Sequence, residues 1–171
     1  MYYRTKMYVA ADWDNDIDAV NQLYKWNDSN RYADLSFVNV HDFVQARDTS
    51  LYCSIKKSLS ERMKMCKTFI LIVGNKTNTI TKGSCQYCNC FDKCYYKGYT
   101  NCDSYIEHEC NLAVKSGLNI VVLYNSEKIN RSLCPEQVRF IGIHSPMKQN
   151  GLYCYQNVKN AIIDAEFFKK S

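Results

Sequence analysis

Glycine and proline are scarce: 6 Gly and 2 Pro in 171 residues. That excludes long flexible linkers and proline-rich or collagen-like tracts. Long apolar runs are missing as well. No stretch approaches the ~20 residues of a bilayer-spanning helix. The opening MYYRTKMYVAADWD has neither an apolar core region nor a small-residue cleavage site. The expectation is a cytoplasmic protein with no membrane partner. Basic clusters are short: the net charge is +5, from 22 Lys+Arg against 17 Asp+Glu, yet no Lys/Arg run exceeds two residues. This balance favours an anionic small molecule and argues against a nucleic-acid partner. Neither GxGxxG nor GxxxxGK(S/T) occurs, so dehydrogenase-type and P-loop sites lack their phosphate cradle.

What is present suits one compact α/β domain, residues 1–171. Hydrophobic residues make up 46% and charged residues 23%, an ordinary globular balance with enough apolar mass for a core. Lys6–Ala11 reads as a strand, followed by the polar loop Asp12–Asp16. Ile17, Val20, Leu23 and Tyr24 then recur at helical spacing, which predicts a helix over Asp16–Trp26. Leu35–Val40 is a second strand and His41–Ser50 a loop rich in charge. Ile55, Leu59, Met63 and Cys66 mark a helix over Leu51–Cys66. Thr68–Val73, TFILIV, and Asn119–Tyr124, NIVVLY, are continuously apolar, as strands buried on both faces of a parallel sheet are. Phe140–His144 is predicted as the last strand and Gln156–Lys169 as the last helix. Strands alternating with helices specify a parallel sheet covered on both sides. Such sheets bind ligands beyond the carboxyl ends of their strands. That edge gathers Asp12, Trp13, the His41 loop, Gly74–Asn78 and the approach to Glu109.

The helix Tyr105–Ser116 carries the most telling residue. Asp103 or Ser104 can cap it, since either offers a side-chain oxygen to an orphan backbone N–H. With about 100° between successive residues, Ile106, Cys110, Ala113, Val114 and Gly117 share an apolar face. His108, Asn111 and Lys115 are expected to point to water. Glu109 falls between these sets, beside Ala113, whereas Glu107 sits at the other edge, where it is easier to solvate. A carboxylate that loses water must be paired or hydrogen-bonded. Glu109 is therefore either bridged to an Arg or Lys or kept for chemistry.

Ten cysteines in a chain expected to be cytoplasmic point to reduced thiols or metal, not to a disulfide framework. Five of them crowd into Cys85-x2-Cys88-x-Cys90-x3-Cys94-x7-Cys102, within an irregular insertion at about 75–103. Cys85, Cys88, Cys94 and Cys102 could hold a structural zinc ion tetrahedrally and fold a loop that lacks a core. The alternative is a loop of free or partly oxidised thiols packed by Tyr87, Phe91, Tyr95 and Tyr96. His41, His108 and His144 have no motif that would pair them with a nucleophilic Cys.

Strand, polar loop and helix are followed by HDF…ARD, IKKSLSERMKMCKTFILIVGNKT, SYIEHECNLA and KSGLNIVVLYNS. Together these segments resemble the TIR-like domains of the Thoeris ThsB family, over about Lys6 to Met147. The resemblance implies a flavodoxin-like three-layer sandwich with five parallel strands. It also implies cleavage of the nicotinamide–ribose bond of NAD+, by hydrolysis or by cyclisation to a signal nucleotide for a downstream effector in prokaryotic anti-phage defence. The family pattern places a Trp four residues before the catalytic Glu and a small residue four after it. Tyr105 and Ala113 hold those positions around Glu109, which selects Glu109 over Glu107 and leaves Tyr in place of Trp. Ala11, Asp12 and Trp13 match the loop that lines the nucleotide site. His41 and Arg47 lie in the HDF…ARD loop, which replaces the BB loop that gates the site or joins subunits. In this picture Trp13 or Tyr105 stacks on a ring, and Arg47 or Lys76 meets the pyrophosphate. No cofactor is required, NAD+ being the substrate, and a homo-oligomer is implied. The alternative is a non-catalytic TIR-like interaction module. A phospho-receiver is excluded, because TFILIVGNKT ends its strand in Gly-Asn where a phosphorylatable Asp belongs.

Overall fold

The structure, a computed structural model, describes residues 6–29, 37–38, 52–87 and 102–168. A parallel sheet forms its centre. Lys6–Ala10 (β1), Cys66–Val73 (β3), Asn119–Tyr124 (β4) and Ile143–Pro146 (β5) lie side by side in the order β1-β3-β4-β5. The two-residue segment Phe37–Val38 (β2) pairs with β1 on its outer side. β3 is central: Thr68 to Val73 align with Asn119 to Tyr124, and Met7 to Ala10 with Thr68 to Leu71. Both apolar runs are where their composition places them.

The helices Ile17–Asn27 (α1), Tyr52–Met63 (α2), Tyr105–Lys115 (α3) and Tyr155–Phe167 (α4) cover both faces. The two-residue period of the strands divides the core in two. Tyr8, Ala10, Phe69 and Leu71 pack with Leu59 of α2 and Cys110 of α3. Met7, Val9, Ile70 and Ile72 pack with Val20 of α1 and Ile162 of α4. Each fully buried side chain of this size stabilises by about 1.5–3 kcal/mol relative to exposure. Among the described residues, no helix is long and apolar enough to cross a membrane.

Two boundaries differ from the sequence expectation. The last strand begins at Ile143, not Phe140. At Gly142 φ is +81°, and a Cβ there would lie 2.3 Å from the Ile120 carbonyl oxygen. The chain must pass β4 at a distance only glycine allows before pairing can start. Phe140 consequently stands exposed ahead of the strand. The second helix stops at Met63, because Cys66 already pairs with Lys6 in the sheet. A short hairpin, Lys148–Gln149 (β6) with Leu152–Tyr153 (β7), was not expected. It turns through Asn150 and Gly151, both at positive φ, as tight hairpins require. The strand expected over Leu35–Val40 lies outside the described residues except for β2.

Candidate functional site

Helix α3 starts with a complete capping box. Ser104 Oγ accepts from the Glu107 N–H at 3.2 Å, and a Glu107 carboxylate oxygen accepts from the Ser104 N–H at 2.7 Å. Two orphan donors are satisfied reciprocally. Of the two capping alternatives it is Ser104 that serves, while Asp103 turns to accept from Asn111 Nδ2 at 2.9 Å. The box fixes the roles of the two glutamates. Glu107 is held at the helix start, and Glu109, half a turn on, is swung inward and left 6% exposed.

Glu109 is not bridged to a cation among the described residues. Its partner is Tyr8, whose hydroxyl donates to Oε1 from β1, 101 positions earlier in the chain. Tyr8 is itself fully buried and stacked on Phe69, with ring centroids 5.9 Å apart. Burial pushes the Glu109 carboxyl up to about 7, against the pull of the Tyr8 hydrogen bond, which favours the ionised form. Burial and the neighbouring Glu109 together raise the Tyr8 phenol well above its ordinary range, so it stays a donor.

A cleft of about 80 Å³ opens beside this carboxyl. Ala11, Asp12, Trp13 and Asp14 form one wall, and Ile80, Lys82 and Tyr105 another. Asp12 is held by its own loop, accepting from the Asp14 N–H at 3.2 Å and from Asn15 Nδ2. Trp13 is half-buried with its ring tilted against Tyr24 at 6.3 Å. Tyr105 is fixed from two sides. Its N–H donates to the Lys82 carbonyl at 2.9 Å, and its ring lies so close to Gly83 that a Cβ there would meet it at 2.5 Å. The ring also meets Tyr52 edge-on, at 5.6 Å. Whole-ligand pockets usually enclose roughly 300–1,000 Å³. A cleft of about 80 Å³ takes one ring or sugar of a larger molecule, lined by three acidic residues (Asp12, Asp14 and Glu109), Lys82 and the aromatic residues Trp13 and Tyr105.

No protein-family model matches this chain, and no curated protein matches it significantly. Its chemistry has to be read from the cleft.

Five expected site residues, Ala11, Asp12, Trp13, Tyr105 and Glu109, come together on that cleft. Lys76 does not. It is exposed at the start of the 3-10 turn Thr77–Thr79, and the lysine on the cleft wall is Lys82. His41 and Arg47 lie outside the described residues. So do Cys88, Cys90 and Cys94; of the expected zinc ligands, Cys85 is buried in a 3-10 turn and Cys102 is exposed. Among the described residues no three His, Cys, Asp or Glu groups could hold a metal ion together. His108 and Asn111, expected in water, are partly covered instead, and His108 Nε2 lies 3.1 Å from Ser60 Oγ of α2.

Sequence reasoning missed Tyr8 and Lys82. Nothing local marks Tyr8, since its partner is remote in the chain. Lys82 sits in an irregular stretch with no periodicity to say where it faces.

Proposed function

We propose that this chain is a TIR-like NAD+-processing enzyme, a glycohydrolase or ADP-ribose cyclase that makes a signal nucleotide in prokaryotic anti-phage defence. In this reading β2 is the fifth strand of a flavodoxin-like sheet, and the protein works in the cytoplasm. The observation that carries it is the Glu109 carboxyl, buried, without a cation partner among the described residues, and lining a ring-sized cleft with Trp13 and Tyr105.

The chemistry suits a single carboxylate. Nicotinamide departs as a neutral molecule, so no acid is needed to protonate it. The developing oxocarbenium ion needs one negative charge in a site of low dielectric. Ordinary glycoside hydrolysis differs in using a pair of carboxyl groups. With its carboxyl pushed up to about 7, Glu109 is about half ionised at neutral pH and becomes predominantly ionised as the pH rises a unit above it. The ribose next to nicotinamide lies against Glu109, the aromatic faces of Trp13 and Tyr105 hold a ring, and Lys82 meets the pyrophosphate. Water or the substrate's own adenine then attacks C1′ as the bond to nicotinamide breaks, and gives up a proton to solvent, giving ADP-ribose or a cyclic product.

The test is NAD+ turnover by the purified chain at high concentration, followed by mass spectrometry. Wild type and Glu107→Gln should both consume NAD+, since Gln also completes a capping box, and Glu109→Gln should not. The product mass separates hydrolysis from cyclisation. Turnover by Glu109→Gln at the wild-type rate would reject the assignment.

One observation favours a second reading, a non-catalytic interaction module. Glu109 is only 6% exposed and already hydrogen-bonded, as a structural carboxyl would be. Absence of turnover by wild type, with or without a phage-derived trigger, would move the assignment there.

A further inference from the structure

The two oxygens of the Glu109 carboxyl are not equivalent. Oε1 accepts from the Tyr8 hydroxyl, while Oε2 has no protein donor among the described residues and belongs to a residue that lines the cleft. Tyr8 cannot move away easily. Its ring is fully buried in the strand that lies between β2 and β3, and it stacks on Phe69. The carboxyl comes from a helix whose first turn is locked by the Ser104–Glu107 box. Two rigid elements therefore meet at one hydrogen bond and fix the plane of the carboxyl between them.

We propose that Tyr8 is the positioning residue of the site: it ties Oε1 to the sheet and presents Oε2 to the cleft, so that a ligand's hydroxyl donors are received chiefly on that oxygen. This rests on Glu109 being the working carboxylate. It adds that the geometry is set from the strand and not from the cleft loops. Of the four lone pairs of the carboxylate, Tyr8 takes one on Oε1, and both on Oε2 are left for a ligand's hydroxyls.

The same bond tunes ionisation. A phenol that donates to a carboxylate stabilises the charged form. Several titratable groups surround the pair: Arg62 on α2, Cys66 on β3, Cys110 on α3, and Asp12, Asp14, Lys82 and Tyr105 around the cleft. Removing only the Tyr8 hydroxyl isolates its contribution from theirs.

The experiment is a carboxyl 13C NMR titration of the full chain, labelled at glutamate, from pH 5 to 9. The Glu109 resonance is identified by its loss in Glu109→Gln. In wild type it titrates with a midpoint near 7. Tyr8→Phe, which keeps the stacked ring, moves that midpoint to higher pH. Incorporating 3-fluorotyrosine at position 8, a stronger donor of nearly the same shape, moves it lower and covers the case in which Tyr8→Phe does not fold. An unchanged midpoint in either variant overturns the proposal. NAD+ turnover is not needed for this readout, so a chain without turnover would reject the enzymatic reading and leave the role of Tyr8 separately decided.

Discussion

The Asp16 carboxylate occupies the space in which a side chain at position 74 would begin. A Cβ on Gly74 would stand 2.0 Å from Asp16 Oδ1 and 2.3 Å from Oδ2. Asp16 is 3% exposed, and its Oδ1 accepts from Asn125 Nδ2 at 2.9 Å. The same amide donates to Asp18 at 3.1 Å, and Asp18 accepts from the Tyr153 hydroxyl at 2.5 Å. One polar chain thus ties the start of α1 and the exit of β4 to the β6–β7 hairpin. It is joined to the Asp12–Asp14 wall of the cleft through the Asp16 N–H, which donates to the Asp12 carbonyl at 2.7 Å.

Gly74→Ala should therefore destabilise the fold by about 1–3 kcal/mol, the usual cost of forcing atoms into a filled site. Urea denaturation measures it. Pairing the change with Asp16→Ala should cost less than the two single changes added together, because the second removes what the first collides with. Strict additivity would show that the two residues do not share the space.

Ser104→Ala removes the cap on α3 and should cost about 1 kcal/mol. Glu107→Gln should cost less, since an amide oxygen still accepts from the Ser104 N–H. Thermal unfolding of the two variants side by side checks the order. The reverse order would mean that Glu107 matters through its charge and not through the box.

Some of this was legible in the chain and some was not, for physical reasons. TFILIV and NIVVLY announce buried parallel strands because a sheet covered on both faces needs no polar alternation. Glu109 could be singled out because a wheel of about 100° per residue puts it at the edge of an apolar face. Its partner could not, because a hydrogen bond between residues 101 positions apart leaves no local pattern. The partly covered position of His108 was hidden for the same reason, its partner lying 48 positions away, whereas Asn111 is covered by a partner only 8 positions back. The expectation of solvent treated α3 as lying on the sheet alone, whereas Ser60 of α2 and Asp103 before α3 reach their side chains. The misplaced last strand has a different cause. Phe140 and Ile141 look like strand residues, and only the approach of Gly142 to the Ile120 backbone shows that pairing waits until Ile143.

Lys82 and Lys76 can be told apart by binding. Lys82 is on the cleft wall and Lys76 is not. Lys82→Ala should weaken ADP-ribose binding about tenfold, the worth of one charge-assisted hydrogen bond. Lys76→Ala should leave it unchanged. Isothermal titration calorimetry with ADP-ribose reads both, without depending on turnover. Equal weakening by the two changes would point to a general electrostatic attraction in place of a seated pyrophosphate.

The last expectation concerns stability against pH, and its sign follows from Glu109. Its carboxyl is raised in the folded chain from the ordinary 4.5 to about 7, by burial. Between those values the folded state holds a proton that the unfolded state has released. Stability contributed by this group is therefore fully present below about 4.5 and is lost as the pH rises through about 7. Each unit of difference corresponds to about 1.4 kcal/mol, so the loss is at most about 3.5 kcal/mol. Glu109→Gln removes the titration and keeps an oxygen for the Tyr8 hydroxyl. The variant should be more stable than wild type at pH 8 and should show a flatter profile between pH 5 and 8, read as the urea midpoint at each pH. A buried carboxylate that costs stability when ionised is what a site kept for chemistry would carry. If Glu109→Gln proved less stable than wild type at pH 8, the carboxylate would be stabilising the fold, and its burial would need no catalytic explanation.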